Sequence, residues 1–389
     1  MEIDWKVFEL EFDPHNRGKE SVRLLKALIE NKYPKTGKEL SKINQEKLLE
    51  YCYNMISRIK RNELAVGTFW KNVQEIWRFL LLLNCDDITK LTQKNIEEWW
   101  QIKLKQYENR EIKYSTLQKS AKCEKAFLRF LFRVEQPKQI VGIKMPKPPK
   151  RELRELIPSQ LEVKKLIDAI YVDGKKYTIR DQAIIALIND TGARTSEVLS
   201  IRNKHIKAEN NYLIVSFPES KTLPRTVISF LAKPFLENWA KISPNKDKGP
   251  DAFFFCQQNG LPVNYPSVKK AFNKALKKSQ IPWKKGQAMH YLRHIFTTRA
   301  FEWPYAVKQY WLGWALKSIE GTYSEINYKH CTKAYFNMIK EENNPFMKDE
   351  PVFWEQEKIE EKVIAQLLET KPEFKMLLRQ MVRETMSNF

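Results

Sequence analysis

The chain has 389 residues, 42% of them apolar, with 11 Trp, 15 Tyr and 21 Phe, enough to bury cores in two domains and too many for a disordered or fibrous polypeptide. Lys and Arg number 68 against 47 Asp and Glu, a formal net charge of +21, so a compact fold would repel itself unless a polyanion or counterions attend it. Cys52, Cys85, Cys123, Cys256 and Cys331 are odd in number and form no C-x-x-C pair, which argues against a disulfide framework or a thiolate zinc site. No 18-residue apolar run occurs, and the start, "MEIDWKVFELEFD", lacks a basic stretch followed by an apolar one, so a cytoplasmic protein with no membrane partner is expected.

The charge is unevenly shared. Residues 1–150 carry 30 basic and 20 acidic side chains, residues 151–345 carry 31 and 18, and residues 346–389 carry 7 and 9. Two basic bodies followed by a slightly acidic tail suit a polyanion long enough to touch both, which favours a nucleic-acid duplex over a small phosphate ligand.

Apolar residues recur at helical spacing in "KINQEKLLEYCYNMISRIKR" (42–61), "GTFWKNVQEIWRFLLLLN" (67–84), "NIEEWWQIKLKQY" (95–107) and "STLQKSAKCEKAFLRFLFRV" (115–134), predicting a small four-helix domain. Arg58, Lys60, Arg61, Lys71, Lys119, Lys122 and Lys125 lie off the apolar stripes, either along a phosphate backbone or on a solvated face. The stretch "VGIKMPKPPKRELREL" follows, with Pro146, Pro148 and Pro149 excluding a helix interior. Lys144, Lys147, Lys150 and Arg151 make it a basic connector and candidate DNA contacts.

Beyond the linker, "SQLEVKKLIDAI" and "YTIRDQAIIALIND" read as helices. "NYLIVSF" (211–217) and "RTVISF" (225–230) read as strands joined by the turn "PESKTLP". Further helices are expected at "PSVKKAFNKALKKS", "AMHYLRHIFTTRAF" and "SIEGTYSEI". Too few strands are present for a doubly wound sheet. The expected fold is mainly α with a small antiparallel β-sheet in the second domain.

Several residues could carry chemistry. In "DTGARTSEVLSIRNKHI", Arg194 follows a helix-breaking Gly192; its forked guanidinium suits a phosphodiester, and Glu197 one turn later can hold it. Lys221, at the tip of the predicted hairpin, could protonate a leaving oxygen or simply be solvated. In "AMHYLRHIFTTRA", His290 and Arg293 share a helical face. His290 and His294 have zinc-protease spacing, but Tyr291 stands where such a helix carries its Glu, so no metal is expected. Finally, "WLGWALKSIEGTYSEI" sets Trp314 after a Leu-Gly turn and Tyr323 nine residues on; a phenol is a nucleophile when cations stabilise the charge developing on its target.

Taken in order, Arg194 in "TGARTSE", Lys221 in a strand-turn-strand, "HYLRH", and "LGW" followed by Tyr323 resemble the tyrosine recombinase and phage integrase family. The resemblance covers roughly residues 151–345, and the helical first domain is similar to the family's core-binding domain. It implies a two-domain C-shaped clamp on double-stranded DNA: residues 1–143 as arm and core-binding domain, 144–151 as linker, 152–345 as catalytic domain and 346–389 as a helical tail. Tyr323 would attack the scissile phosphate to give a 3′-phosphotyrosyl bond. Arg194 and Arg293 would clamp the non-bridging oxygens, His290 would bond the same phosphate, Lys221 would protonate the departing 5′-oxygen, and Trp314 would pack against the site or donate its indole N–H. Glu197 resembles the family's acidic buttress. A phosphotyrosine conserves the energy of the broken phosphodiester, so no cofactor is expected.

Two departures stand out. Trp314 occupies a position more often held by His, and the turn around Lys221 lacks the Gly common in relatives, leaving Lys204 and Lys207 as rivals. Tyr328 is the rival nucleophile. In the tail, Ile359, Val363 and Leu367 share one helical face and Phe374, Leu377, Leu378, Met381 and Val382 another, either folding back or docking on a neighbour in a tetramer. The leading function is integration or excision of a mobile element, of archaeal type on the length and the added tail, with a Lys-, Ile- and Glu-rich composition that suits such a source. A cellular dimer-resolving recombinase and a type IB topoisomerase are the alternatives.

Overall fold

The computed structural model describes residues 3–83, 85–149, 157–209, 211–220, 223–283, 288–314, 327–341 and 344–346. The chain divides into two compact units, Met1–Glu155 and Leu156–Phe389.

In the first unit a 3₁₀ turn, Trp5–Phe8, precedes α1 (Arg17–Ile29), α2 (Lys42–Lys60), α3 (Val66–Leu83), α4 (Gln93–Glu108), α5 (Tyr114–Phe132) and the short α6 (Lys138–Val141). The four expected helices are α2 to α5, each within two residues of its predicted ends. Helix α1 was not expected. Its cap lies outside the helix, where Asp13 Oδ1 and Oδ2 accept from the backbone N–H groups of Arg17 and Gly18, both at 2.7 Å, and its apolar stripe is only Leu24, Leu25 and Leu28. Gly18 is required there, because a Cβ would come within 2.1 Å of the Phe8 carbonyl oxygen. Trp77, Trp100, Phe69 and Phe127 fill the core.

Within that core lies a charged group. Glu75 accepts from Ser120 at 2.5 Å and pairs with Lys119 and the buried Lys103, whereas the Glu124 carboxyl is buried beside Trp99 with no ion pair among the described residues.

The stretch read as a linker begins attached to this unit. Trp100 donates its indole N–H to the Lys144 carbonyl at 2.7 Å, and the Tyr114 hydroxyl donates to the Pro146 carbonyl. The units divide further on, between Glu155 and Leu156.

The second unit opens with α7 (Gln160–Ile170), whose capping box pairs Ser159 with Glu162. Next come α8 (Lys176–Thr191), α9 (Thr195–Leu199), β1 (Ile206–Glu209), β2 (Tyr212–Phe217), β3 (Arg225–Ser229), α10 (Lys233–Ile242), α11 (Tyr265–Ser279), α12 (His290–Arg299), α13 (Tyr305–Leu312) and α14 (Tyr328–Glu341). Helix α8 is buried along most of its length. The sheet is antiparallel in the order β1-β2-β3, with Val215 opposite both Ile206 and Val227. The expected hairpin is β2-β3. The edge strand β1, "IKAE", carries too little apolar alternation to be read from sequence. The expected helix "SIEGTYSEI" lies outside the described residues, and no described helix is long and apolar enough to cross a membrane.

Candidate active site

The site is built on the end of α8. Gly192 adopts φ +64°, and a Cβ there would meet the Phe296 ring at 2.7 Å, so only glycine both turns the chain and admits α12 so closely. The turn is pinned from two sides. Trp311 Nε1 donates to the Thr191 carbonyl at 2.9 Å, and Arg293 Nη1 donates to the Gly192 carbonyl at 2.8 Å.

Arg194 then caps α9. Its backbone N–H donates to Glu197 Oε2 at 2.8 Å and its Nη1 to Glu197 Oε1 at 2.6 Å. The guanidinium remains partly exposed while the carboxylate is buried. Nε and Nη2 of Arg194 donate to no acceptor among the described residues. Burial alone would raise the Glu197 pKa, but the Arg225 charge and the bonds from Arg225 and Arg194 outweigh it and hold the carboxyl at about 2.

Arg293 lies three residues after His290 on α12. Its Nη2 donates to the Leu312 carbonyl at 2.6 Å, so one buried cation joins the α8 turn to the end of α13, and each η nitrogen keeps a second N–H. Burial, and next the Arg194 charge, press its pKa down to about 9, which leaves it protonated at neutral pH. His290 is exposed at the start of α12, its ring 4.9 Å from that of His294. Trp314 follows Gly313 (φ +59°) at the end of α13, is half-buried, and donates its backbone N–H to the Gln309 carbonyl at 2.9 Å.

The structure thus gathers Arg194, Glu197 and Arg293 at one turn, with His290 on the same helix as Arg293 and Trp314 two residues past the Leu312 carbonyl. Lys221 and Tyr323 lie outside the described residues, as do Lys150 and Arg151. Of the rivals, Lys204 pairs with Asp251 at 2.5 Å, Lys207 is exposed on β1, and Tyr328 begins α14. Lys144 and Lys147 are exposed. Among the first unit's helical cations, Arg58 and Arg61 pair with Glu63, Lys60 with Asp4 and Lys119 with Glu75, which favours the solvated-face reading for these four.

Sequence reasoning missed Arg225. Its side chain is closed to solvent: Nη2 donates to Glu197 Oε2 at 2.9 Å, Nε to the Trp311 carbonyl at 2.6 Å, and the guanidinium carbon lies 4.8 Å from the Phe217 ring centroid. A signal was present, because period two along "RTVIS" puts Arg225 on the face of Val227 and Ser229. Ser220, in the turn, also donates to Glu197 Oε1 at 3.0 Å. Asp190, one residue before Thr191, was missed as well. Its Oδ2 accepts from Ser229 Oγ and the Ala232 N–H, and its Oδ1 from the Tyr335 hydroxyl of α14.

Residues 159–330 match the model of the phage integrase family, and this part of the chain belongs to that family, the tyrosine recombinases. It is similar to tyrosine recombinase XerC of Lactobacillus delbrueckii subsp. bulgaricus, with 28% identity over 228 residues that cover 57% of this chain and 75% of the relative. Tyrosine recombinase XerH of Campylobacter jejuni is 31% identical over 145 residues, 37% of this chain and 40% of the relative. Among solved structures, a XerH recombinase bound to a difH substrate in a pre-cleavage complex shares the fold at a TM-score of 0.50 and 17% identity, covering 84% of this chain and 97% of that one.

Proposed function

We propose that this recombinase cleaves and rejoins DNA at specific sites through Tyr323, and that it integrates or excises a mobile element. In the forward step the Tyr323 Oη–phosphorus bond forms and the phosphorus–O5′ bond breaks. The phenolic proton leaves with help from His290, and Lys221 gives a proton to the departing O5′. Rejoining runs the same exchange backwards with the 5′-hydroxyl of another strand, so no bond energy is lost and no external energy source is needed. Arg194 and Arg293 offset the charge that builds on the non-bridging oxygens. Trp314 cannot act as a general acid, which places the proton transfers on His290 and Lys221.

The observation that carries this reading is the convergence of two arginines on the Gly192 turn, one of them oriented by an ionised, buried glutamate, inside a phage integrase domain. The basic charge of both units suits a DNA duplex, with Lys144, Lys147, Lys150 and Arg151 along its backbone and a tetramer formed on two duplexes. The likeness to XerC and XerH favours a second reading, resolution of chromosome dimers by the same chemistry in the cytoplasm.

The test is covalent capture. The full chain is mixed with nicked duplexes of randomised core sequence in EDTA, retained adducts are sequenced, and the modified peptide is mapped. An adduct on Tyr323 supports the proposal; an adduct on Tyr328, or none despite retained binding, overturns the assignment. A relaxation assay on supercoiled DNA lacking the captured sequence then separates recombinase from topoisomerase.

A further inference from the structure

Glu197 is fully subscribed, and the order of its partners carries a consequence. Oε1 accepts from Arg194 Nη1 and Ser220 Oγ, and Oε2 from the Arg194 backbone N–H and Arg225 Nη2. A carboxylate and a guanidinium prefer a two-pronged pairing in which two N–H groups meet two oxygens. Here Arg194 is held by one guanidinium nitrogen alone, because the second oxygen already accepts from Arg225 and from the Arg194 backbone N–H. Arg225 is itself fixed by the Trp311 carbonyl and packed over Phe217, and a Cβ on Gly313 would come 2.6 Å from its Nη1, so little room is left for it to turn away.

We propose that Arg225 is a positioning residue for the cleavage reaction: by occupying one oxygen of Glu197 it restricts that carboxylate to a single guanidinium nitrogen of Arg194 and keeps the rest of the Arg194 fork open for the scissile phosphate. The proposal rests on the reading of Arg194 as a phosphate-holding residue. The Arg225 side chain is closed to solvent. Without it, a buried carboxylate loses its strongest partner, and the nearest cation able to replace it is Arg194, whose two-pronged capture would turn it from the DNA.

The experiment uses the full chain and a captured duplex in two forms, one with an ordinary scissile phosphodiester and one with a methylphosphonate there. The methyl group replaces a non-bridging oxygen and removes its charge, so a cation has less to hold. Arg225→Gln is expected to slow cleavage of the phosphodiester by about a hundredfold, the cost of an ångström-scale misplacement, with duplex affinity unchanged. Both Arg225→Gln and Arg194→Ala should lose much less on the methylphosphonate, and the double variant should be no slower than Arg194→Ala alone. Arg225→Lys, a point charge without a fork, should fall between wild type and Gln, and it serves if the Gln variant does not fold. If Arg194→Ala is relieved by the methylphosphonate while the Arg225 variants lose equally on both substrates, Arg225 is merely structural and the proposal falls. If Arg194→Ala is not relieved, the phosphate-holding reading fails and the proposal with it.

Discussion

Arg293 on α12 and Gly192 at the end of α8, 101 residues apart in sequence, are joined by a 2.8 Å hydrogen bond from the Arg293 Nη1 to the Gly192 carbonyl. The same side chain reaches the Leu312 carbonyl at 2.6 Å, so the cation assigned to the phosphate also ties three segments together. Lysine offers one nitrogen where Arg293 uses two separate ones, so it does not reproduce both bonds in this geometry. Arg293→Lys should therefore lower stability by about 1–3 kcal/mol, the cost of a buried carbonyl left without a donor, and should abolish most cleavage. Thermal unfolding and the covalent-capture assay read the two effects separately, and unchanged stability would refute the tie.

Glu197 gives the second unit an acid-sensitive contribution. Its folded pKa of about 2 lies below the ordinary 4.5, so the stabilisation is in place above pH 4.5 and is lost as pH falls towards 2. The gap corresponds to roughly 3 kcal/mol. Glu197→Gln should be less stable than wild type at pH 7, and the difference should shrink progressively below pH 4.5. Denaturant midpoints of both proteins between pH 2 and pH 7 measure it; a constant difference would remove Glu197 from the acid limb.

In the first unit the sign is reversed. Burial pushes the Glu124 carboxyl up to about 7 against the partial compensation of the Lys103 charge, so the fold favours the protonated acid. That stability is present below the ordinary 4.5 and is lost as pH rises through 7. Glu124→Gln, which cannot ionise, should match wild type at pH 4 and exceed it at pH 8 by about 1–3 kcal/mol. Urea unfolding at the two pH values decides; a variant less stable at pH 8 would mean the charged form is wanted.

Tyr323→Phe should bind the captured duplex as wild type does and form no covalent adduct. The same gel-shift series should show binding falling steeply with added salt, as expected when basic residues displace counterions from the duplex. Wild-type-like adduct in this variant would move the nucleophile elsewhere, with Tyr328 the first alternative.

How much of this was legible in the sequence follows from the range of each signal. Helices α2 to α5 carry their own apolar period and polar termini, and they were read to within two residues. The edge strand β1 draws its pairing from β2, and α1 takes its cap from Asp13, outside the helix; neither leaves a local mark. At the site, the Arg194–Glu197 pairing and the shared helix of His290 and Arg293 were legible from three-residue spacings, while the roles expected of these residues came from the family resemblance. Arg225 and Asp190 were not, since their importance comes from partners 28 to 145 residues away and a charged residue in a strand or at a helix end ordinarily faces water.

The Tyr335 hydroxyl bonded to Asp190 has a mechanical meaning. The segment carrying Tyr323 leaves α13, which is fastened to Thr191 by the Trp311 indole, and enters α14, which is fastened to the neighbouring Asp190. Helices α13 and α14 are thus buckled to adjacent residues at the end of one helix, three and four residues before Arg194.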